Sequence, residues 1–197
     1  MMSASPNRPP FRASAPGPSA LSPRPSLSNI ALIGMMGSGK SSVGAALAER
    51  LGWRFVDTDA AIVATTGRAI FEIFATDGED AFRELETSAV RDAVAGEHAI
   101  IATGGGAILR ARNREILWGR CWVVWLSATP EEHARRVLQS ERRPVLDRYS
   151  DPAQGARELL AVREPFYSLA HHTVDTTGLT IDDVVSSILA VRRALAG

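Results

Sequence analysis

The sequence predicts an α/β fold: a mostly parallel, five-stranded sheet with helices on both faces. Three observations predict it. Short apolar runs alternate with helix-period segments from residue 29 to the C-terminus, the pattern of strands joined by crossover helices. The run CWVVWLS, starting at Cys121, has no polar face, as expected of a central strand covered on both sides. Two apolar runs end in glycines, at Gly34 and at Gly104, and such sheets place ligands at the carboxyl ends of their strands.

The elements follow in order. Residues 29–33 read as a buried strand ending in a turn. Residues 41–51 read as a helix, with Val43, Leu47 and Leu51 four apart and Gly52 placed to end it. A second strand spans 54–56 and ends at Asp57; helical patterns follow over 59–66 and 69–74. Residues 78–95 form a longer helix whose apolar stripe is Phe82, Leu85, Ala89 and Ala93. Residues 99–103 and 121–126 are the third and fourth strands. A helix over 129–140 carries Pro130 in its first turn. A helix over 153–162, a short strand over 172–175 and a closing helix over 180–195 complete the chain.

Hydrophobic content of 45% over 197 residues suits a single packed domain. The formal net charge of zero is unevenly spread. Residues 1–28 hold Arg8, Arg12 and Arg24 and no acid, so the remainder has 22 − 3 = 19 basic against 22 acidic residues, a net of −3. A mildly acidic body argues against nucleic acid as a partner. No apolar stretch reaches the length of a membrane span. Residues 1–28 also hold seven of the eleven prolines and seven serines, so they read as a disordered extension ahead of one domain over 29–197. An Arg- and Ser-rich leader also suits a transit peptide, but it lacks an amphipathic helix; the expectation is a cytoplasmic monomer. The single cysteine, Cys121, excludes an intrachain disulfide and reads as a buried hydrophobe. His98, His133, His171 and His172 show no metal-ligand spacing, and Trp53, Trp118, Trp122 and Trp125 read as packing residues.

Five motifs carry chemistry. GMMGSGKS, from Gly34 to Ser41, fits G-x-x-x-x-G-K-[ST] between a strand and a helix. Its backbone N–H groups, with Gly37, Ser38 and Gly39 at the helix entry, would cradle phosphates. Lys40 would reach the β- and γ-phosphates, and Ser41 would hold Mg²⁺. The fold expected is therefore of the P-loop NTPase type, in three layers. DTD, from Asp57 to Asp59, closes the second strand. If extended, it aims both carboxylates at one cleft; the plainer reading is a helix cap. In FATDGEDAFRELE, Arg83 has Glu79 four residues before it and Glu86 three after. That is either a surface ion-pair ladder or an arginine held to grip a carboxylate. In TGGGA, Gly104, Gly105 and Gly106 allow close approach to a ligand or form a flexible strand exit. RRPVL, from Arg142, and VREPFY, from Val162, suit either a solvated connector or a mobile lid bringing an arginine to the reaction.

The ordered set of P-loop, DTD, phenylalanine–arginine helix, GGG, RP connector and REP-aromatic segment resembles the shikimate kinases, over about residues 29–190. The resemblance implies ATP-dependent phosphorylation of the 3-hydroxyl of shikimate with Mg²⁺, on the route to chorismate and aromatic amino acids. It implies Lys40 and Ser41 at the phosphates and metal, Asp57 on the metal side, and Asp59 as the hydroxyl-facing candidate base. Arg83 and Arg163 match the carboxylate-binding arginines, Glu86 the acid that orients the first, and Gly105 a backbone contact flanked by Gly104 and Gly106. Phe74 and Phe82 resemble the pocket's apolar wall, in a substrate-binding segment over about 58–86. Arg143 matches the arginine of a lid over about 138–150. Ser42 stands where many relatives have Thr and completes the nucleotide set. Arg136 aligns with a residue packing on adenine, and Thr177 lies in the loop 176–179 on its other side. Two other readings remain: a kinase of another small hydroxy acid such as gluconate, and an ATP-binding regulatory module without transfer.

Overall fold

The computed structural model describes residues 26–138 and 151–197. Five strands, β1 (Asn29–Ile33), β2 (Arg54–Asp57), β3 (Ala99–Ala102), β4 (Trp122–Ser127) and β5 (His172–Asp175), form one sheet in the order β2-β3-β1-β4-β5. Every pairing is parallel; Ala31 of β1 faces Ile101 of β3 on one side and Val123 of β4 on the other. The helices are α1 (Lys40–Leu51), α2 (Thr58–Thr66), α3 (Ile70–Thr76), α4 (Gly78–Ala93), α5 (Ala111–Arg120), α6 (Pro130–Leu138), α7 (Pro152–Tyr167) and α8 (Ile181–Ala196).

Alternation along the central strands divides the core into two layers. Ala31, Ile33, Ile101 and Val123 pack with Val90 of α4, Leu117 and Trp118 of α5, and Phe166 and Tyr167 of α7. Ile30, Leu32, Ile100 and Val124 pack on the opposite face with Val43 and Leu47 of α1 and Val185 and Ile188 of α8. Each such aliphatic side chain, removed from water, contributes about 1.5–3 kcal/mol. A small third cluster of Ile62, Ile73 and Phe82 joins α2, α3 and α4 beside the sheet. Gly52 ends α1 in the left-handed conformation (φ 65°).

Among the described residues, three features of the fold depart from the sequence expectation. Helix α5 was not expected. Its buried positions 113, 114, 117 and 118 keep helical spacing, but the first two are Asn113 and Arg114, so the apolar stripe is broken. The sequence places the end of α7 near 162, yet the helix runs through Pro165 to Tyr167. Pro165 removes one helical hydrogen bond, but it and Ala161 are exposed, so water can satisfy the freed carbonyl, while Phe166 and Tyr167 anchor the last turn. The folded body also begins before residue 29. Leu27 packs against the α1/α8 layer, its carbonyl accepts from Arg192 Nη2 at 3.3 Å, and the Ser28 carbonyl accepts from the His98 amide at 2.7 Å. Residues 1–25 of the expected extension lie outside the described residues. No described helix is long and apolar enough to cross a membrane.

Candidate active site

Residues 34–41 link β1 to α1. Gly39 takes φ 87° at the N-cap, a conformation that suits glycine, and lets α1 start with its N–H groups facing the loop. Lys40 Nζ donates to the carbonyls of Gly34 (2.9 Å) and Met35 (2.7 Å) and to Ser38 Oγ (3.3 Å). Burial pulls its ammonium down to about 8; Asp59 and Asp57 oppose the shift and Arg163 adds to it. His133 of α6 is almost fully buried. Burial, with Lys40 and Arg136 nearby, pushes its imidazole down to about 4, so it is neutral.

The two aspartates are not arranged as an extended DTD would place them. Only Asp57 belongs to β2; Asp59 sits in the first turn of α2, so the two do not share a pleat face. Asp57 is the helix cap: Oδ1 accepts from the amides of Asp59 (3.0 Å) and Ala60 (3.1 Å). Its other oxygen, Oδ2, accepts from Ser41 Oγ at 2.7 Å. The cap thus fixes a carboxylate oxygen against the phosphate loop. Asp59 reaches a different place. A Cβ built on Gly104 would lie 2.6 Å from Asp59 Oδ1 and 3.0 Å from Glu86 Oε1, so both carboxylates border the glycine turn. Thr58 between them, fully buried, accepts from the Gly104 amide at 3.1 Å.

Arg83 is held from two sides. Nη1 donates to both oxygens of Glu86 at 3.1 and 3.0 Å, and Nε and Nη2 donate to Glu79 Oε1 at 3.3 and 3.1 Å. This is no exposed ladder, because Glu86 is only 1% exposed. Burial pushes the Glu86 carboxyl up to about 6, with Arg83 opposing. The Arg83 guanidinium lies 5.3 Å from the Phe82 ring and beside Gly106. Phe82 is buried and its ring packs, tilted by 33°, against that of exposed Phe74 with centroids 4.5 Å apart. Arg163 Nη1 borders the same turn: it lies 3.3 Å from a Cβ built on Gly105 and donates to Met35 Sδ at 3.6 Å. Tyr167, one helical turn on, donates its hydroxyl to the Gly105 carbonyl at 2.6 Å. Its burial raises the phenol to about 12.

A cavity of about 380 Å³ opens from the phosphate loop and is lined by Ser38, Gly39, Ser42, Arg136, Thr176 and Thr180, among others. Arg136 is fixed at its edges: Nη1 and Nη2 donate to Thr176 Oγ1 and carbonyl at 2.9 and 2.7 Å, and Nε donates to Glu132 at 2.7 Å. Gly37 meets α6 through its carbonyl, which accepts from Arg136 Nη1 at 3.4 Å. Thr177 does not line the cavity; its hydroxyl accepts from the Thr129 amide at 3.4 Å and its amide donates to Asp175. Arg143 and the rest of the expected lid from 139 on lie outside the described residues.

Among the described residues no three His, Cys, Asp or Glu cluster as metal ligands. The oxygen pair of Ser41 and Asp57 suits a hard cation that takes one or two protein oxygens and completes its shell with phosphate and water. Thr58, His133 and Tyr167 are site-bordering residues that the motifs did not single out. A buried phenol in REPFY, which needs a hydrogen-bond partner, was the available signal for the last.

Comparison with known proteins agrees with this geometry. The shikimate kinase family profile matches residues 36–193. A shikimate kinase of Symbiobacterium thermophilum is 47% identical over 164 residues, covering 82% of this chain and 94% of that protein. One of Geobacter metallireducens is 46% identical over 172 residues, covering 86% and 94%. The solved shikimate kinase of Acinetobacter baumannii in complex with shikimate superposes with a TM-score of 0.81 at 39% identity, covering 86% of this chain and 94% of that one. With a phosphate loop at the end of β1, two arginines bordering a glycine turn, and relatives aligned over nearly the whole folded part, the chain belongs to the shikimate kinase family.

Proposed function

We propose that this enzyme transfers the γ-phosphoryl group of ATP to the 3-hydroxyl of shikimate, giving shikimate 3-phosphate and ADP. One observation carries the substrate: Arg83, gripped by buried Glu86, and Arg163 both border residues 104–106, with Asp59 at the same turn. Two guanidinium groups facing one floor suit a small carboxylate held by bidentate hydrogen bonds. Phe82 and Phe74 give an apolar wall to the ring. Asp59 faces the acceptor, orients the hydroxyl and takes its proton as the oxygen–phosphorus bond forms and the bond to the β-phosphate breaks. Residues 37–42 hold the phosphates, Lys40 follows the moving phosphoryl group, and Arg136 walls the base cavity. Arg143 is assigned to the transferring phosphoryl from sequence alone, in a lid over about 138–150. Ser41 and Asp57 would hold Mg²⁺, which neutralises phosphate charge when bound. The enzyme is taken to act as a cytoplasmic monomer.

The test is ADP release by purified protein with ATP and Mg²⁺ in the presence of shikimate, gluconate or no acceptor. Release with shikimate alone is expected. Turnover with gluconate and none with shikimate overturns the substrate. Acceptor-independent binding without release would favour a regulatory module.

A further inference from the structure

We infer that Asn113 and Arg114 of α5 are positioning residues, which set the separation of Arg83 and Arg163 by clamping the turn after the glycines onto the end of α7. The inference rests on the proposed shikimate site. Residues 104–106 run directly into a 3-10 turn, Ala107–Leu109. All three carbonyls of that turn accept from these two side chains. Asn113 Nδ2 donates to Ala107 O at 3.0 Å; Arg114 Nη1 donates to Ile108 O at 2.7 Å and to Leu109 O at 2.9 Å. Asn113 is 0% and Arg114 3% exposed.

An arginine buried this deeply is costly unless its charge is compensated. Among the described residues no carboxylate forms an ion pair with Arg114, and its Nε is buried without a hydrogen-bond partner. Burial accordingly lowers its pKa, with only exposed Glu115 opposing. A leucine or methionine would fill similar space without that cost, so packing alone does not account for the cation. What an aliphatic group cannot supply is donation to two carbonyls at once together with a charged face for an aromatic ring. The Arg114 guanidinium lies 4.6 Å from the Phe166 ring centroid. Phe166 is three residues beyond Arg163 on α7 and precedes Tyr167, which holds the Gly105 carbonyl. One guanidinium therefore touches both the 3-10 turn that directly continues the glycines, the last of which, Gly106, has Arg83 beside it, and the helix carrying Arg163. A carboxylate taken by two planar forks needs them at a fixed spacing, and a misplacement of about 1 Å can cost about a hundredfold.

The test compares Arg114→Met, Arg114→Lys and Asn113→Ala with the parent chain, varying shikimate and ATP separately, alongside denaturant unfolding. Exposed Glu115→Gln, on the same helix, is the control and should match the parent. Arg114→Met should raise the shikimate KM by about tenfold or more, while the ATP KM and kcat stay within about threefold. Arg114→Lys keeps the charge but lacks the planar fork, so it should recover stability more than shikimate KM. Discrimination between shikimate and its analogue with an alcohol in place of the carboxylate should narrow in both. A merely structural role would lower stability and leave KM and this discrimination unmoved, and that result overturns the inference, as does a parallel rise in both KM values. If Arg114→Met does not fold, Arg114→Lys and Asn113→Ala carry the same comparison. A parent chain inactive on shikimate defeats the proposed function, and this inference with it; an active parent with unchanged variants defeats this inference alone.

Discussion

Replacing Glu86 by Gln separates what this carboxylate does for substrate from what it costs the fold. Its carboxyl titrates near 6 rather than 4.5 because burial disfavours the charged form more than Arg83 favours it. That difference corresponds to about 2 kcal/mol of stability surrendered to keep the carboxylate charged. The folded protein binds this proton more tightly than the unfolded chain does. The penalty is therefore absent below pH 4.5, grows as pH rises to 6, and is complete above it. Gln keeps the shape and removes the penalty, which is already net of the attraction to Arg83, but its amide N–H group is buried against the donating guanidinium, at a cost of about 1–2 kcal/mol. The two nearly cancel, so Glu86→Gln should change stability at pH 8 by less than about 1 kcal/mol. The shikimate KM should nonetheless rise about tenfold, because Arg83 loses the bidentate anchor that fixes its fork. The parent should show a rising shikimate KM below pH 6, as Glu86 protonates, and the variant a flat profile. Urea unfolding at pH 5 and 8, with KM measured across the same range, checks both halves. A loss above about 3 kcal/mol at pH 8, or an unchanged KM, would refute the reasoning, the first by showing that the pair is a net stabiliser.

Further outcomes follow from the phosphate loop and the aspartates. Lys40 titrates near 8 against 10.5 for the free side chain, so the nucleotide-free protein should gain stability as pH rises from 8 to 10.5. ADP binding at pH 8.5 should take up protons, measurable by calorimetry in two buffers of different ionisation heat, and Lys40→Met should abolish the uptake. Asp57→Asn should leave the helix cap nearly intact, since an amide oxygen caps about as well as a carboxylate, and should raise the Mg²⁺ requirement. Asp59→Asn should cut turnover at least about a hundredfold with ADP affinity kept; equal effects from the two substitutions in a magnesium titration would contradict their separation.

The central strands were legible because they are buried on both faces, so apolarity alone marks β1 and β4. The phosphate loop was legible because its backbone geometry demands glycine and its chemistry demands Lys40 and Ser41. The pairing of Arg83 with Glu79 and Glu86 was readable from helical spacing. Helix α5 was not, because two of its inward positions are polar and bind backbone carbonyls, which no hydrophobic periodicity reports. The DTD geometry failed because chain direction at the end of β2 depends on the cap: once Asp57 accepts two amides ahead of it, the helix starts at Thr58 and the pleat ends. The burial of Glu86 also lay beyond the sequence, since an exposed ladder and a gripped arginine share one spacing.

The glycine turn admitted two readings, a flexible exit or a place of close approach, and its hydrogen bonds decide between them. Gly104 gives its amide to Thr58 and its carbonyl to the Ala107 amide; Gly105 gives its carbonyl to Tyr167; Gly106 gives its carbonyl to the Leu109 amide. A segment tied at each residue is not loose. What its glycines provide is room. Any Cβ would fall 2.6 Å from Asp59 at position 104 and 2.9 Å from the Arg83 guanidinium at 106. Side chains there would push the carboxylate and the arginine outward, away from the floor against which a small acid must be held. Rigid backbone beneath and charged groups pressed against it are two halves of one arrangement: the absence of side chains lets the charges approach, and the hydrogen bonds keep that approach from costing order when a ligand arrives.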